Sequence, residues 1–169
     1  MIDTKLFRDG MAMLGGAVSV ITTDGEAGRF GFTATAVTSV TDEPPTLLVC
    51  MNRNSFANPH FKKNAVLCVN VLQSHHQGVS WDFANRELNS EQRFAKHEWT
   101  TLKTGAPALD EALVSFDCEI HESHEIGSHT VFYCRVKDAK VGQDGQGLVY
   151  FNRAYHCLNE QSVAQAKSL

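Results

Sequence analysis

Two stretches of the chain carry residue types from which a binding site is made. Thr33-Ala34-Thr35-Ala36-Val37-Thr38-Ser39 sets hydroxyls and backbone amides among small side chains. On an extended strand such a run leaves a surface with nothing large projecting from it, and a planar aromatic ligand fits against that kind of surface. Farther on, Asn52-Arg53-Asn54-Ser55 follows an apolar run and precedes a stretch with helical patterning. Backbone amides at a helix start, joined by a guanidinium and two carboxamides, suit a phosphate. Together the two stretches suggest one ligand with a flat ring and a phosphate.

Other site chemistries lack their sequence patterns. No G-x-G-x-x-G follows a strand, and no G-x-x-x-x-G-K-[ST] or G-x-S-x-G occurs. Gly142, Gly145 and Gly147 cluster around a hairpin turn, and hairpin geometry accounts for them. Among the eight histidines, His75-His76 are adjacent, so on a helix they point differently, and His121 and His124 stand beside Glu122 and Glu125. Neither pattern matches H-E-x-x-H or a two-His-one-carboxylate arrangement, so no metal is expected.

The chain has 169 residues, 43% hydrophobic and 20% charged, which is the composition of one folded domain. With 15 basic and 19 acidic residues its formal net charge is −4, so nucleic acid is not an expected partner. No apolar run approaches the roughly 20 residues of a membrane span. Cys50, Cys68, Cys118, Cys134 and Cys157 are odd in number and widely spaced, which favours reduced thiols. The opening MIDTKLFRDGMAMLGG has Asp3 and Asp9 and no basic region followed by an apolar core, so a cytoplasmic location is expected.

The elements that must position the two stretches are mostly strands. Asp3 or Thr4 caps a short helix with Leu6, Phe7, Met11 and Leu14 on one face, ended by Gly15-Gly16. Strands are expected over 17–23, 30–40, 46–51, 65–72, 113–122, 130–141 and 148–152, from β-branched content and period-two alternation. Short helices are expected over 56–63, capped by Ser55 or Asn54, and over 74–86 and 90–96. Asp144-Gly145 reads as a turn, and residues 159–169 as a surface helix or tail. Strands do not alternate with helices, which argues for an antiparallel barrel with peripheral helices rather than a doubly wound sheet.

Several runs resemble the short-chain flavin reductases, the reductase components of two-component flavin-dependent monooxygenases. They are Gly31-Phe32-Thr33-Ala34-Thr35-Ala36-Val37-Thr38-Ser39-Val40-Thr41-Asp42-Glu43-Pro44-Pro45 and Leu48-Val49-Cys50-Met51-Asn52, followed by Leu67-Cys68-Val69-Asn70-Val71-Leu72, Arg93-Phe94, Gly127-Ser128-His129-Thr130, Gly147-Leu148-Val149-Tyr150-Phe151 and Tyr155-His156. The likeness runs from about Phe7 to Leu158, with the motifs in family order. Its nearest branches are the reductases of 4-hydroxyphenylacetate 3-monooxygenase and of pyrimidine utilisation.

The resemblance implies a mainly β, antiparallel Greek-key split barrel (the FMN-binding split barrel) with peripheral short helices, one domain over 1–158, and a homodimer. It implies hydride transfer from NADH, or NADPH, to FMN or FAD, and delivery of the reduced flavin to an oxygenase such as an aromatic hydroxylase. By match of position, Thr33, Ala34, Thr35, Ala36 and Ser39 would lie along the flavin ring and ribityl chain. Met51, Asn52, Arg53, Asn54 and Ser55 would meet the ribityl and phosphate end, and Phe83-Ala84 would border the flavin. His129 would stand beside the nicotinamide, with Tyr155 near the same mouth; Gly127-Ser128-His129 replaces the more frequent Gly-Thr-His and keeps the hydroxyl. Two alternatives share the barrel. One is a non-catalytic FMN-binding module. The other is a pyridoxamine-phosphate-oxidase-like enzyme, which needs more basic residues than Arg53, Lys62 and Lys63.

Overall fold

Asp3 caps the first helix as its short carboxylate allows, accepting the Leu6 amide at 3.1 Å. In the computed structural model the described residues are 1–143 and 145–158; the expected tail over 159–169 and Asp144 of the expected turn lie outside them. Helix α1 (Thr4–Ala12) leads into β1 (Gly16–Ala17), β2 (Ser19–Thr23), β3 (Phe30–Ala34), β4 (Val37–Asp42) and β5 (Pro45–Asn52). Then come α2 (Asn58–Asn64), β6 (Val66–Val71), a 3₁₀ turn (Ser74–His76) running into α3 (Gln77–Ala84), and α4 (Ser90–Phe94). The chain ends in β7 (Trp99–Thr101), β8 (Pro107–Leu109), β9 (Val114–Ile126), β10 (His129–Val141), β11 (Gly147–Phe151) and β12 (Ala154–Leu158).

Seven strands form one antiparallel sheet in the order β3-β2-β6-β9-β10-β5-β4. Every one of them contributes to a single interior: Ile21, Phe32, Val37, Val49, Leu67, Cys118 and Phe132, for example, pack into one cluster around Phe61 of α2. A flat sheet cannot gather all its strands on one core, so this one is rolled into a barrel. Its edges are β3 and β4, which no ladder joins among the described residues; the barrel is therefore split. A second core outside the barrel joins Val18, Val20, Leu72 and Leu148 to Val79, Phe83, Phe94 and Leu109. It seats α3, α4 and the small sheet β1-β11-β12. The fully buried β2 separates the two cores, with Val20 in one and Ile21 in the other.

Several expected boundaries are corrected. The strand expected over 30–40 is two strands, because β3 pairs with β2 and β4 with β5, and Thr35-Ala36 carries the chain across the split. The helix expected from Phe56 starts at Asn58, with Ala57 as N-cap and no side-chain cap from Asn54 or Ser55. Pro59, whose missing N–H costs nothing in the first turn, sets that start. The helix expected over 74–86 opens with the 3₁₀ turn and stops at Ala84. The short β7, β8 and β12 carry no period long enough to read from sequence.

The buried Asn70 ties β6 to its surroundings. Its amide nitrogen donates to the Val20 carbonyl and Thr22 hydroxyl, both at 3.1 Å, and its oxygen accepts from the Leu109 amide and Ser115 hydroxyl, both at 2.8 Å. Asn70→Leu leaves several buried groups unpaired at once. Each such group costs about 1–3 kcal/mol, so guanidinium denaturation should show a loss of about 3 kcal/mol or more.

Candidate functional site

One long wall of the site depends on how closely α3 approaches β3. A Cβ at Gly31 would stand 2.5 Å from Cε1 of Phe83 and 3.1 Å from the Ile21 carbonyl oxygen, so only glycine allows this packing. Phe83 meets Phe94 and Trp99 edge-on, with ring centroids 5.0 and 5.6 Å away. Thr33 Oγ1 donates to the Ser80 carbonyl at 2.7 Å, and Arg93 donates through Nη1 to the Gly31 carbonyl (3.0 Å) and through Nη2 to Asn85 (2.6 Å). Strand β3, the end of α3 and α4 are thus held as one unit. Arg93 Nε is buried with no partner among the described residues, and desolvation draws the guanidinium pKa below its ordinary value.

The facing wall is the loop after β5. Asn52 turns it, accepting the Asn54 amide on its side chain (2.8 Å) and the Ser55 amide on its carbonyl (3.1 Å). The buried Asn58 pins the loop to β10 through the Thr130 hydroxyl at 3.1 Å. Between the walls lies a cleft of about 830 Å³. Of the residues expected at a site, Thr33, Met51, Asn52, Asn54, Ser55, Phe83 and Ala84 line it. Phe30, Phe32, Phe56, Arg86, Leu88 and Arg93 line it too. None of these was expected there, although Arg93-Phe94 is among the resembling motifs and Phe56 adjoins Ser55.

The other expected residues lie elsewhere. Arg53 and Asn54 line a second cleft of about 460 Å³ with Lys62, Glu125 and Ser128, so Asn54 is common to both. There Arg53 Nη2 and Lys62 Nζ each stand 2.6 Å from the Glu125 carboxylate, and Arg53 Nη1 donates to Gly127 at 3.1 Å. The Lys62 hydrogen bond and the two positive charges hold the Glu125 pKa below its ordinary value. His129 is exposed, paired in register with Asn52, its Nδ1 2.9 Å from the Ser128 hydroxyl. Tyr155 reaches the cleft wall indirectly, its hydroxyl 2.7 Å from that of Ser80. Ala34 packs on the barrel core, Ala36 accepts the Cys50 amide, and Thr35 and Ser39 lie outside the cleft lining. His75, His76 and Glu111 come together with ligating atoms within 4.8 Å, a meeting their spacing did not show. His76 Nδ1 already accepts the Gln73 amide at 3.2 Å, and burial, then His75, pushes the imidazole pKa down to about 4.

Among the described residues lining the larger cleft there is no carboxylate, histidine or cysteine. Such a lining offers no side chain suited to general acid–base work near neutral pH, and no base to activate its hydroxyls. It can hold a planar, polar-edged group between aromatic walls and present amides and hydroxyls to its rim. Gly31→Ala should push Phe83 out of the wall, lower stability by about 1–3 kcal/mol and weaken binding of any ring in the cleft, read by thermal denaturation and ligand titration.

Known proteins match most of this framework. The family described as flavin reductase like domain matches residues 11–159. A protein of Acinetobacter baylyi named FMN reductase (NADH) RutF is 53% identical over 160 residues, covering 93% of this chain and 85% of its own. A protein of the same name from Agrobacterium fabrum is 51% identical over 152 residues, covering 90% and 87%. The crystal structure of BorF, the flavin reductase component of a bacterial two-component tryptophan halogenase, superposes with a TM-score of 0.87 at 26% identity, covering 94% of this chain and 99% of that one. The split barrel, rolled around one core with its cleft beside the open edge, is therefore that of a relative by descent as well as by shape: the chain belongs to the flavin reductase-like domain family.

Proposed function

We propose that the protein is an NADH-dependent flavin reductase that uses FMN, or FAD, as acceptor and releases reduced flavin to an oxygenase. The observation that carries this is the larger cleft: a slot with aromatic walls and a rim of amides and hydroxyls, with no acid–base group among the described residues of its lining. The donor set fits a flavin. Phe32 and Phe83 offer apolar walls, and Asn52, Asn54 and Ser55 offer polar partners for a ring edge and ribityl chain. When bound, the flavin and the nicotinamide supply the hydride chemistry between them, so the chain has to bind and align rather than shuttle protons. The names of the half-identical relatives favour NADH and FMN, and the likeness to BorF, one part of a two-component halogenase, supports a reductase that works with a separate flavin-using component.

Each wall residue then has a task of holding or excluding. Asn52 and Asn54 are stiffened by their own turn and present fixed donors and acceptors. Phe83, locked by Gly31 and the aromatic trio, keeps water from one face. Arg53 and Lys62 would receive the phosphate beside Asn54, with Glu125 giving way. His129, across from Asn52, would meet the carboxamide or pyrophosphate of the nicotinamide dinucleotide. Tyr155, bonded to Ser80, steadies the helix that carries Phe83.

The same reading includes one domain over residues 1–158 and a cytoplasmic location, which suits five unpaired cysteines. It also includes a homodimer. Helix α1 buries none of its residues; Leu6, Phe7 and Met11 are exposed on it, and Leu14 is exposed just beyond its end. A second copy covering such a face would remove it from water. Sedimentation equilibrium should give twice the chain mass at micromolar concentration; the monomer mass would refute the dimer.

Purified protein with excess FMN should consume NADH, followed at the nicotinamide absorbance band. FMN binding without consumption would leave the non-catalytic module. His129→Asn should raise KM for NADH, keep most of kcat and leave FMN affinity nearly unchanged. A roughly hundredfold fall in kcat would instead mark His129 as a proton donor.

A further inference from the structure

The larger cleft holds two features that a flavin ring and its polar edge do not need. The first is an aromatic platform. Phe56 lines the cleft yet is 78% exposed, while Ala57 beside it is buried. Its ring stands edge-on to Phe30 at 5.9 Å and 5.2 Å from His60, and Phe30 and His60 lie 3.9 Å apart at 30°. His60 Nδ1 is held by the Ala27 carbonyl at 2.9 Å, which orients the imidazole behind the phenyl rings. The platform is thus braced from behind while one large apolar ring remains in water at the cleft mouth.

The second feature is an uncommitted cation. The two cleft-lining cations are Arg86 and Arg93. Arg93 is engaged by backbone carbonyls, whereas Arg86 is exposed and makes no ion pair or hydrogen bond among the described residues. It lies in the turn between α3 and α4, and lines the same cleft as Phe56, which stands in the loop before α2. An exposed aromatic ring recognises a nucleobase by stacking, at about 1–3 kcal/mol per base. A free guanidinium recognises a phosphate or pyrophosphate through paired N–H donors. Lining one slot, the two match the base and the diphosphate of an adenosine diphosphate group.

We propose that Phe56 and Arg86 form a subsite for the adenosine diphosphate half of a dinucleotide, Phe56 stacking the adenine and Arg86 meeting the pyrophosphate. The proposal rests on the flavin reductase reading for its setting. The same chemical group occurs in NADH and in FAD. If the subsite serves NADH, it anchors the hydride donor by its non-reacting half. If it serves FAD, it sets a preference for the dinucleotide acceptor over FMN.

The probe is ADP, titrated calorimetrically into the full chain and into Phe56→Ala, Phe56→Tyr, Arg86→Ala and Arg86→Lys. ADP should bind the parent protein, about tenfold more weakly to each alanine variant, with tyrosine and lysine restoring most of the loss. Adenosine, which lacks the phosphates, should keep its dependence on Phe56 and lose its dependence on Arg86. In NADH oxidation the alanine variants should raise KM for NADH if that is the source of the group, or raise KM for FAD relative to FMN if the acceptor is. Equal ADP affinity across all five proteins overturns the proposal. So does a Phe56→Ala protein that changes oligomeric state with unchanged ADP affinity, which would make Phe56 a contact between copies. If the parent binds ADP through both residues yet neither binds FMN nor oxidises NADH, the subsite stands and the flavin reductase reading falls.

Discussion

The approach of α3 to β3 at Gly31 is the contact on which the rest of the site depends. A side chain there would collide with Phe83 and with the backbone of β2, so the helix would have to rise from the sheet. Phe83 would then leave Phe94 and Trp99, and the second core would lose its centre. The hydrogen bonds from Thr33 and Arg93 are tied to the same spacing, because both cross from β3 to the helical segment. Packed interiors transmit such shifts because they lack free volume to absorb them. One missing methyl group therefore sets the width of the cleft.

The division of charge follows a similar logic. The larger cleft is lined by aromatic rings, amides and two guanidinium groups, with no carboxylate among its described residues. The acidic partner stands next door, where Glu125 takes both Arg53 and Lys62. These pairs are exposed and contribute little to stability. Their effect is on binding: an anion entering the second cleft meets two cations already gathered in one place and must compete with a carboxylate for them. Asn54, at the boundary of the two clefts, is the point where a ring-bearing ligand would change from apolar to ionic surroundings.

A site of this composition is consistent with chemistry carried by its ligands. Hydride transfer between two bound rings needs a fixed distance and orientation more than a charged side chain. The rigidity here comes from backbone-linked devices: the Asn52 turn, the Asn58 bond to Thr130, and the Arg93 contacts to two carbonyls. Each holds a wall in place without projecting a reactive group into the slot.

Much of this was legible in the residues alone. Alternation and β-branched content mark the main strands, and small side chains from Thr33 to Ala36 and polar ones from Asn52 to Ser55 mark stretches expected to meet a ligand, because those properties are local. The order of the motifs pointed to the family for the same reason. What the tertiary structure decided is which of these residues share a cleft. Thr35, Ala36 and Ser39 lie past the crossing from β3 to β4, where partner strands change, so a run continuous in sequence is divided in space. Arg53 turns away because Glu125 and Gly127, far along the chain, arrive beside it through the β9–β10 hairpin. Phe30, Phe56, Arg86 and Arg93 join the site only because separate elements fold against one another. No local period announces that meeting: it is produced by long-range packing across a split barrel, which couples residues that sequence spacing leaves independent.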